Sequence, residues 1–422
     1  MYNPLVADIS NPDKETTMHS DQARQMRRRL LLAAAAGIAA TALPARPQHQ
    51  HGGGKRAELG ISAAVDANGM IWVASREGAG DASFLALQSS KDNGRSWTPP
   101  RQLGSEAITA SGESRPKIAF GRQNELCIAY TRPIARPHVG DIRFIRSTDG
   151  GRTFSAPATV HAHREVTTHS FESMIVDREG RIFIAWVDGR DADAAKARGE
   201  RYAGSAIYYA VSDDGGAHFK GDYKVADHSC ECCRIGLALN RQGNPVALWR
   251  HVFVPNIRDH ALAELSANGS AAPLRRASFD DWRIDACPHQ GPAHAYAADG
   301  MRHQVWFNGN EGSKGGVQYA AFAADGAPPT PVVLGNAQAS QADIAVQGAQ
   351  VAVAWKQFDG TATVVLARLS GDGGASWREQ ALGRTTGESG KPYLVVAPSG
   401  ILLVWRTEKE GIRVAQVTGD KA

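Results

Sequence analysis

With 422 residues, a hydrophobic share of 42 % and a formal charge of only +4, the chain has ample material for a core and no large cationic surplus. No basic stripe interleaved with aromatics runs through it, so nucleic acid is not the expected partner. Length alone would allow two or three domains, and internal repetition has to decide.

The chain opens on a leader. Arg27-Arg28-Arg29 precede an apolar run from Leu30 to Ala42. That run is shorter than the ~20 residues of a membrane span but suits a signal-peptide core, with Ala40-Thr-Ala42 as a small-residue cleavage site. Residues 1–45 therefore read as a signal peptide, with Met18 or Met26 as the true start, and the paired arginines resemble a twin-arginine export signal. The expectation is an exported protein, periplasmic or secreted, with no stable membrane span once the leader is cleaved. Residues 46–57 hold His49, His51 and three glycines and read as a flexible linker.

Beyond the linker two repeats interleave. One is a short run that ends, in most copies, on an aromatic: Ile71-Trp-Val-Ala-Ser75, Leu126-Cys-Ile-Ala-Tyr130, Ile182-Phe-Ile-Ala-Trp186, Pro245-Val-Ala-Leu-Trp249, His303-Gln-Val-Trp306, Val351-Ala-Val-Ala-Trp355 and Leu402-Leu-Val-Trp405. A strand and a Gly- or Asn-containing turn precede each run, so four short strands recur per unit. That is the signature of propeller blades. The last unit, from about Lys391 to Val417, has only three strands, and a strand near Glu58 is expected to complete it. The other repeat is a loop: Ser90-Lys-Asp92-Asn-Gly94-Arg-Ser96-Trp97, Ser147-Thr-Asp149-Gly-Gly151-Arg-Thr153-Phe154, Ser212-Asp-Asp214-Gly-Gly216-Ala-His218-Phe219 and Ser370-Gly-Asp372-Gly-Gly374-Ala-Ser376-Trp377. Here the Asp can accept hydrogen bonds from its own loop, the Gly supplies a positive φ, and the aromatic folds back beneath.

This loop resembles the Asp box, the bacterial neuraminidase repeat of the sialidase superfamily. The resemblance implies an all-β chain over residues 58–422, folded as a single β-propeller. Seven units are counted, with six blades as the alternative. It marks a fold and not a chemistry, because the same box occurs in catalytic and non-catalytic propellers.

Strand direction alternates, so the boxes between third and fourth strands lie on one face. The lead-ins to the first strands and the exits from the second strands share the other. On that working face fall Glu113 and Arg115, His169 and Glu172, Asp188 with Arg190 and Asp191, Arg250, Arg258, Asp343, Lys391 with Tyr393, and Arg406. If the chemistry follows the sialidase resemblance, arginines drawn from Arg115, Arg250, Arg258 and Arg406 clamp a substrate carboxylate. Tyr393 would then be the nucleophile, paired with Glu113 or Glu172, and Asp188 or Asp191 the acid. The ligand implied is an acidic sugar or glycoconjugate. The family's Arg-Ile-Pro motif, however, is absent from the first unit, which reads Leu59-Gly-Ile-Ser62; Arg115-Pro-Lys117 is only a loose echo of it.

Cysteines add a second possibility. Cys127 sits inside a strand and reads as a small buried hydrophobe. Cys230, Cys232, Cys233 and Cys287 cluster in consecutive lead-ins with His228 and His289. In an oxidising compartment they suit a disulfide; as thiolates they suit copper or zinc. Two functions thus stand side by side: a sialidase-type glycoside hydrolase with a divergent site, and a non-catalytic propeller that binds a soft metal, a sugar or a protein.

Overall fold

The computed structural model describes residues 59–418 apart from 111–113, 135–138, 232–233, 271, 287 and 313–314. The leader, the linker and the strand expected near Glu58 lie outside these residues.

Seven antiparallel meanders follow one another along the chain. Blade 1 holds β1–β4 (Ile61–Val65, Ile71–Glu77, Phe84–Ser90, Arg101–Leu103), and blade 2 holds β5–β8 (Lys117–Phe120, Leu126–Pro133, Gly140–Ser147, Ala158–Thr159). Blade 3 holds β9–β12 (His169–Val176, Ile182–Asp188, Ser205–Ser212, Lys220–Ser229), and blade 4 β13–β16 (Gly236–Leu239, Pro245–Arg250, His260–Glu264, Arg275–Arg276). Blades 5 and 6 hold β17–β20 (Ala293–Tyr296, Arg302–Asn308, Gly316–Phe322, Val332–Leu334) and β21–β24 (Ser340–Gln347, Gln350–Phe358, Thr363–Ser370, Arg378–Thr385). Blade 7 has three strands, β25–β27 (Tyr393–Ala397, Gly400–Thr407, Gly411–Gln416).

Each first strand packs beside the first strand of the next blade, and β25 packs beside β1, which closes the ring. The chain is an all-β, seven-bladed propeller, and the alternative of six blades is excluded. The aromatic that ends most second-strand runs explains the repeat. Trp186, Trp249, Trp306, Trp355 and Trp405 are all buried, filling the wedge between radiating sheets. Cys127 is buried in the same layer, as its strand position implied.

The four signature loops fold alike. In each, the first Ser hydroxyl donates to the Asp and accepts from the Gly N–H four residues on, at 2.7–2.8 Å. The Asp accepts in turn from the backbone of the residue four further on. Each loop also fastens its blade to the one before. A side chain on Gly216 would meet the Phe144 ring at 2.1 Å, one on Gly151 would meet Trp72, and one on Gly94 would meet Val414 across the closure. Blade 4 carries a shortened form that the sequence reading passed over, Ser266-Ala-Asn268-Gly-Ser270, whose Gly269 abuts Tyr223 of blade 3.

One helix among the described residues was not expected: α1 (Arg190–Ala197), between β10 and β11. Its Ala-rich sequence, with Asp191 and Asp193 in the first turn, favours a helix. It lifts Asp191 away from the channel, where that carboxylate accepts from Tyr208 and Lys224.

Candidate functional site

First strands are innermost in a meander, and alternate side chains of their lead-ins point into the channel. Arg115 and Lys117 of blade 2, Glu172 of blade 3, Arg234 of blade 4, Asp343 of blade 6, and Lys391 with Tyr393 of blade 7 meet there. All are buried except Tyr393, which is half-buried. Arg115 lies with its guanidinium 5.3 Å over the Tyr393 ring. Lys391 Nζ is 3.2 Å from Asp343 Oδ1, and Asp343 Oδ2 accepts from Leu394 N at 2.9 Å. Lys117 Nζ donates to Arg115 O at 2.7 Å. Glu172 Oε2 accepts from Thr131 at 2.6 Å, while its Oε1 has no hydrogen-bond partner.

Among the described residues four cations and two carboxylates meet in this group, so their field favours an anion. Burial pushes the Glu172 carboxyl up, against the opposing charge of Lys117 and the Thr131 hydrogen bond. Burial also raises the Tyr393 phenol; Asp343 adds to the shift, and Arg115 and Arg234 oppose it. Tyr393 is therefore protonated in the resting protein, and among the described residues no carboxylate accepts from its hydroxyl. The expected Tyr393–Glu172 pairing is absent: Glu172 faces Thr131, Lys117 and Arg115 instead.

The other expected residues are placed elsewhere. Arg250 is fully buried, donating to the carbonyls of Arg258, Gln290 and Phe307 at 2.7–3.1 Å, with Trp282 stacked 4.8 Å away. Arg258 Nε donates to Asn256. Arg406 pairs with Glu77 at 2.8 Å, joining blade 7 to blade 1. Asp188 is buried and held below the usual carboxylate range. Its burial is outweighed by hydrogen bonds from Arg190, so it stays ionised rather than serving as a proton donor. The four arginines do not form one clamp; Arg115 alone of them reaches the channel centre.

Glu113, Cys232, Cys233 and Cys287 lie outside the described residues. Cys230 is buried, and His228 and His289 are exposed. Arg234 donates to Gly291 O and Pro292 O, so the lead-ins of blades 4 and 5 lie side by side. Sequence reasoning undervalued Lys117 and Arg234, although spacing held the signal: Lys117 follows Arg115 by two, one strand period. It also passed over His161 and His163, which stand beside His169 between blades 2 and 3. A cleft of about 270 Å³ at Arg101, Tyr130, Arg152 and Phe154 lies at the blade 1–blade 2 margin, away from the channel residues.

No protein-family model matches the chain, and no curated protein matches it in sequence. Solved structures do match in fold. An ulvan lyase of polysaccharide lyase family PL25, bound to GlcA(1-4)Rha3S, aligns over 84 % of this chain and 91 % of its own, at 12 % identity and a TM-score of 0.53. The sialidase Hz136, described as a Hadza microbial enzyme, covers 80 % and 74 % at 14 % identity and a TM-score of 0.49. A protein of unknown function from Dyadobacter fermentans covers 77 % and 94 % at 16 % identity, also with a TM-score of 0.49. At these identities the likeness is one of fold, and only the lyase's TM-score carries weight. In fold, the chain is a seven-bladed β-propeller that aligns with the ulvan lyase over most of both chains.

Proposed function

We propose that this protein is an exported, carbohydrate-active propeller that takes an acidic sugar at the mouth of its central channel. The observation that carries the reading is the convergence of Arg115, Lys117, Arg234 and Lys391 around Tyr393, from the lead-ins of three blades. A ring of buried cations costs stability unless an anion or fixed carboxylates balance it. Glu172 and Asp343 stand among these cations, and a sugar carboxylate or sulfate would add to the compensation. The fold likeness to a lyase bound to a glucuronate- and sulfate-bearing unit supports the same ligand class.

Within that class the finer proposal is sialidase-type hydrolysis, with Arg115 holding the substrate carboxylate and Tyr393 attacking the anomeric carbon. A second reading, acidic-sugar binding without turnover, is favoured by one observation: no described carboxylate is placed to take the Tyr393 proton.

The test is incubation of the leader-free protein with an aryl sialoside and with uronate- and sulfate-bearing polysaccharides, with product release and equilibrium binding both measured. Turnover lost in Tyr393→Phe with binding retained supports the hydrolase. Binding that needs Arg115 but gives no product supports the binding protein. Neither turnover nor Arg115-dependent binding of any acidic sugar overturns both.

A further inference from the structure

The connection from β8 to β9 carries His161-Ala-His163 and then His169, and β7 brings Asp141 beside them. His161 and His169 are fully buried, their rings stacked with centroids 3.8 Å apart. The Nδ1 of each meets a main-chain carbonyl: His161 that of His163 at 2.5 Å, His169 that of Gly140 at 3.2 Å. A carbonyl can only accept, so each Nδ1 carries the proton and each Nε2 presents a lone pair. The His161 lone pair meets a further acceptor. His161 Nε2, which makes no hydrogen bond, lies 3.5 Å from Asp141 Oδ1. His169 Nε2 is hydrogen-bonded to His163 Nδ1 at 3.3 Å and lies 3.7 Å from Asp188 Oδ2. Arg132 takes the other Asp141 oxygen, leaving Oδ1 to face the imidazoles.

A buried imidazole lone pair facing a carboxylate oxygen, as His161 Nε2 faces Asp141, is unfavourable unless a proton or a cation lies between them. We propose that Asp141, His161 and His169 bind a zinc-class divalent cation. Their donor atoms all lie within 4.8 Å of one another. Zinc bonds of about 2.0–2.1 Å imply donor separations of about 3.3–3.4 Å in a tetrahedron. The 3.5 Å separation of His161 Nε2 and Asp141 Oδ1 matches that edge. Imidazole and carboxylate donors suit zinc ahead of soft Cu(I) or hard Mg²⁺. Nδ1–H held by a carbonyl is the usual second support of a metal-bound histidine. The ligands come from blade 2, its exit and the first strand of blade 3, so the ion would fasten two blades at the working face. The site is separate from the channel cations and from the cysteine segment.

The experiment is metal analysis of the leader-free protein after dialysis against zinc, followed by exchange with Co(II). Expected are one tightly held zinc attributable to this site, and a cobalt spectrum with the d–d bands of a nitrogen and oxygen site. A thiolate-to-cobalt charge-transfer band would report the cysteine segment separately. Changing a supporting residue costs about 10- to 100-fold in metal affinity, so loss of a direct ligand in His161→Gln or Asp141→Asn should cost at least that. Should those variants fail to fold, the wild type still decides, since zinc must raise its Tm and chelation lower it. No metal above background, a cobalt spectrum carrying thiolate features alone, or full zinc retention in folded His161→Gln would overturn the proposal. In the first case the group would be a metal-free His–Asp cluster only.

Discussion

Arg115 holds its guanidinium 5.3 Å over the ring of Tyr393, a contact from blade 2 to blade 7 across the end of blade 1. The lead-ins of non-adjacent blades can meet only at the channel, so this contact marks the centre of the working face. Arg115→Ala is predicted to weaken acidic-sugar binding about 10- to 100-fold, the value of a charge-assisted pair of hydrogen bonds. Neutral sugars should be unaffected, and added salt should reduce the difference between wild type and variant. Calorimetric titration at two ionic strengths is the check; equal loss for charged and neutral sugars would contradict the assignment.

The signature loops predict a contrast within one motif. Gly216 has φ +89° and would place a Cβ 2.1 Å from Phe144, whereas Gly150, at φ +70°, has nothing within 4 Å. Gly150→Ala therefore suffers backbone strain alone, about 1 kcal/mol, while Gly216→Ala adds overpacking of about 1–3 kcal/mol. Denaturant unfolding should show Gly216→Ala as clearly the less stable. Equal losses would mean that the loop does not fasten blade 3 to blade 2.

This difference also explains what the sequence made legible. Ser90, Asp92 and Gly94 recur because each loop closes on its own residues, and local closure leaves a local pattern. Trp186 and Trp405 recur because every wedge between blades is the same shape. The channel is different. Arg115, Arg234, Asp343 and Tyr393 come from four blades, and no spacing along the chain records which lead-ins face one another. Nor does a residue's place on the correct face reveal its direction. Arg250 and Asp188 both exit second strands as expected, yet Arg250 turns inward to carbonyls and Asp188 is held by the unexpected α1 and its Arg190.

Acid should act first on the signature loops. Hydrogen bonds from the Ser96 hydroxyl and N–H, with that from Ser90, lower the Asp92 carboxyl to about 2. Asp149 and Asp372 are held well below the usual range, chiefly by the hydroxyls of Thr153 and Ser370. A folded pKa below the unfolded value gives stability that is present above about pH 4 and lost as pH falls through the folded pKa. Tm should therefore decline between about pH 4 and pH 2, and Asp→Asn at positions 92, 149 and 372 should flatten that decline while lowering Tm at pH 7. A profile unchanged by the triple replacement would place the acid sensitivity elsewhere.

Arg250 offers the sharpest separation between a structural and a ligand-binding guanidinium. Its two terminal nitrogens donate to Arg258 O, Gln290 O and Phe307 O, tying the exit of β14 to blade 5, and Trp282 covers its face. An anion at this site would have to displace carbonyls that have no other donor of comparable strength. Arg250→Met keeps much of the buried volume but leaves three acceptors without their charged donor, each worth about 1–3 kcal/mol. The predicted loss is about 3 kcal/mol or more of folding stability, read from denaturant unfolding. Arg250→Lys should recover little of it, because one ammonium cannot span three carbonyls set for a planar fork. Affinity of the remaining folded protein for an acidic sugar should be unchanged. The opposite pattern, intact stability with affinity lost, would return Arg250 to the substrate clamp.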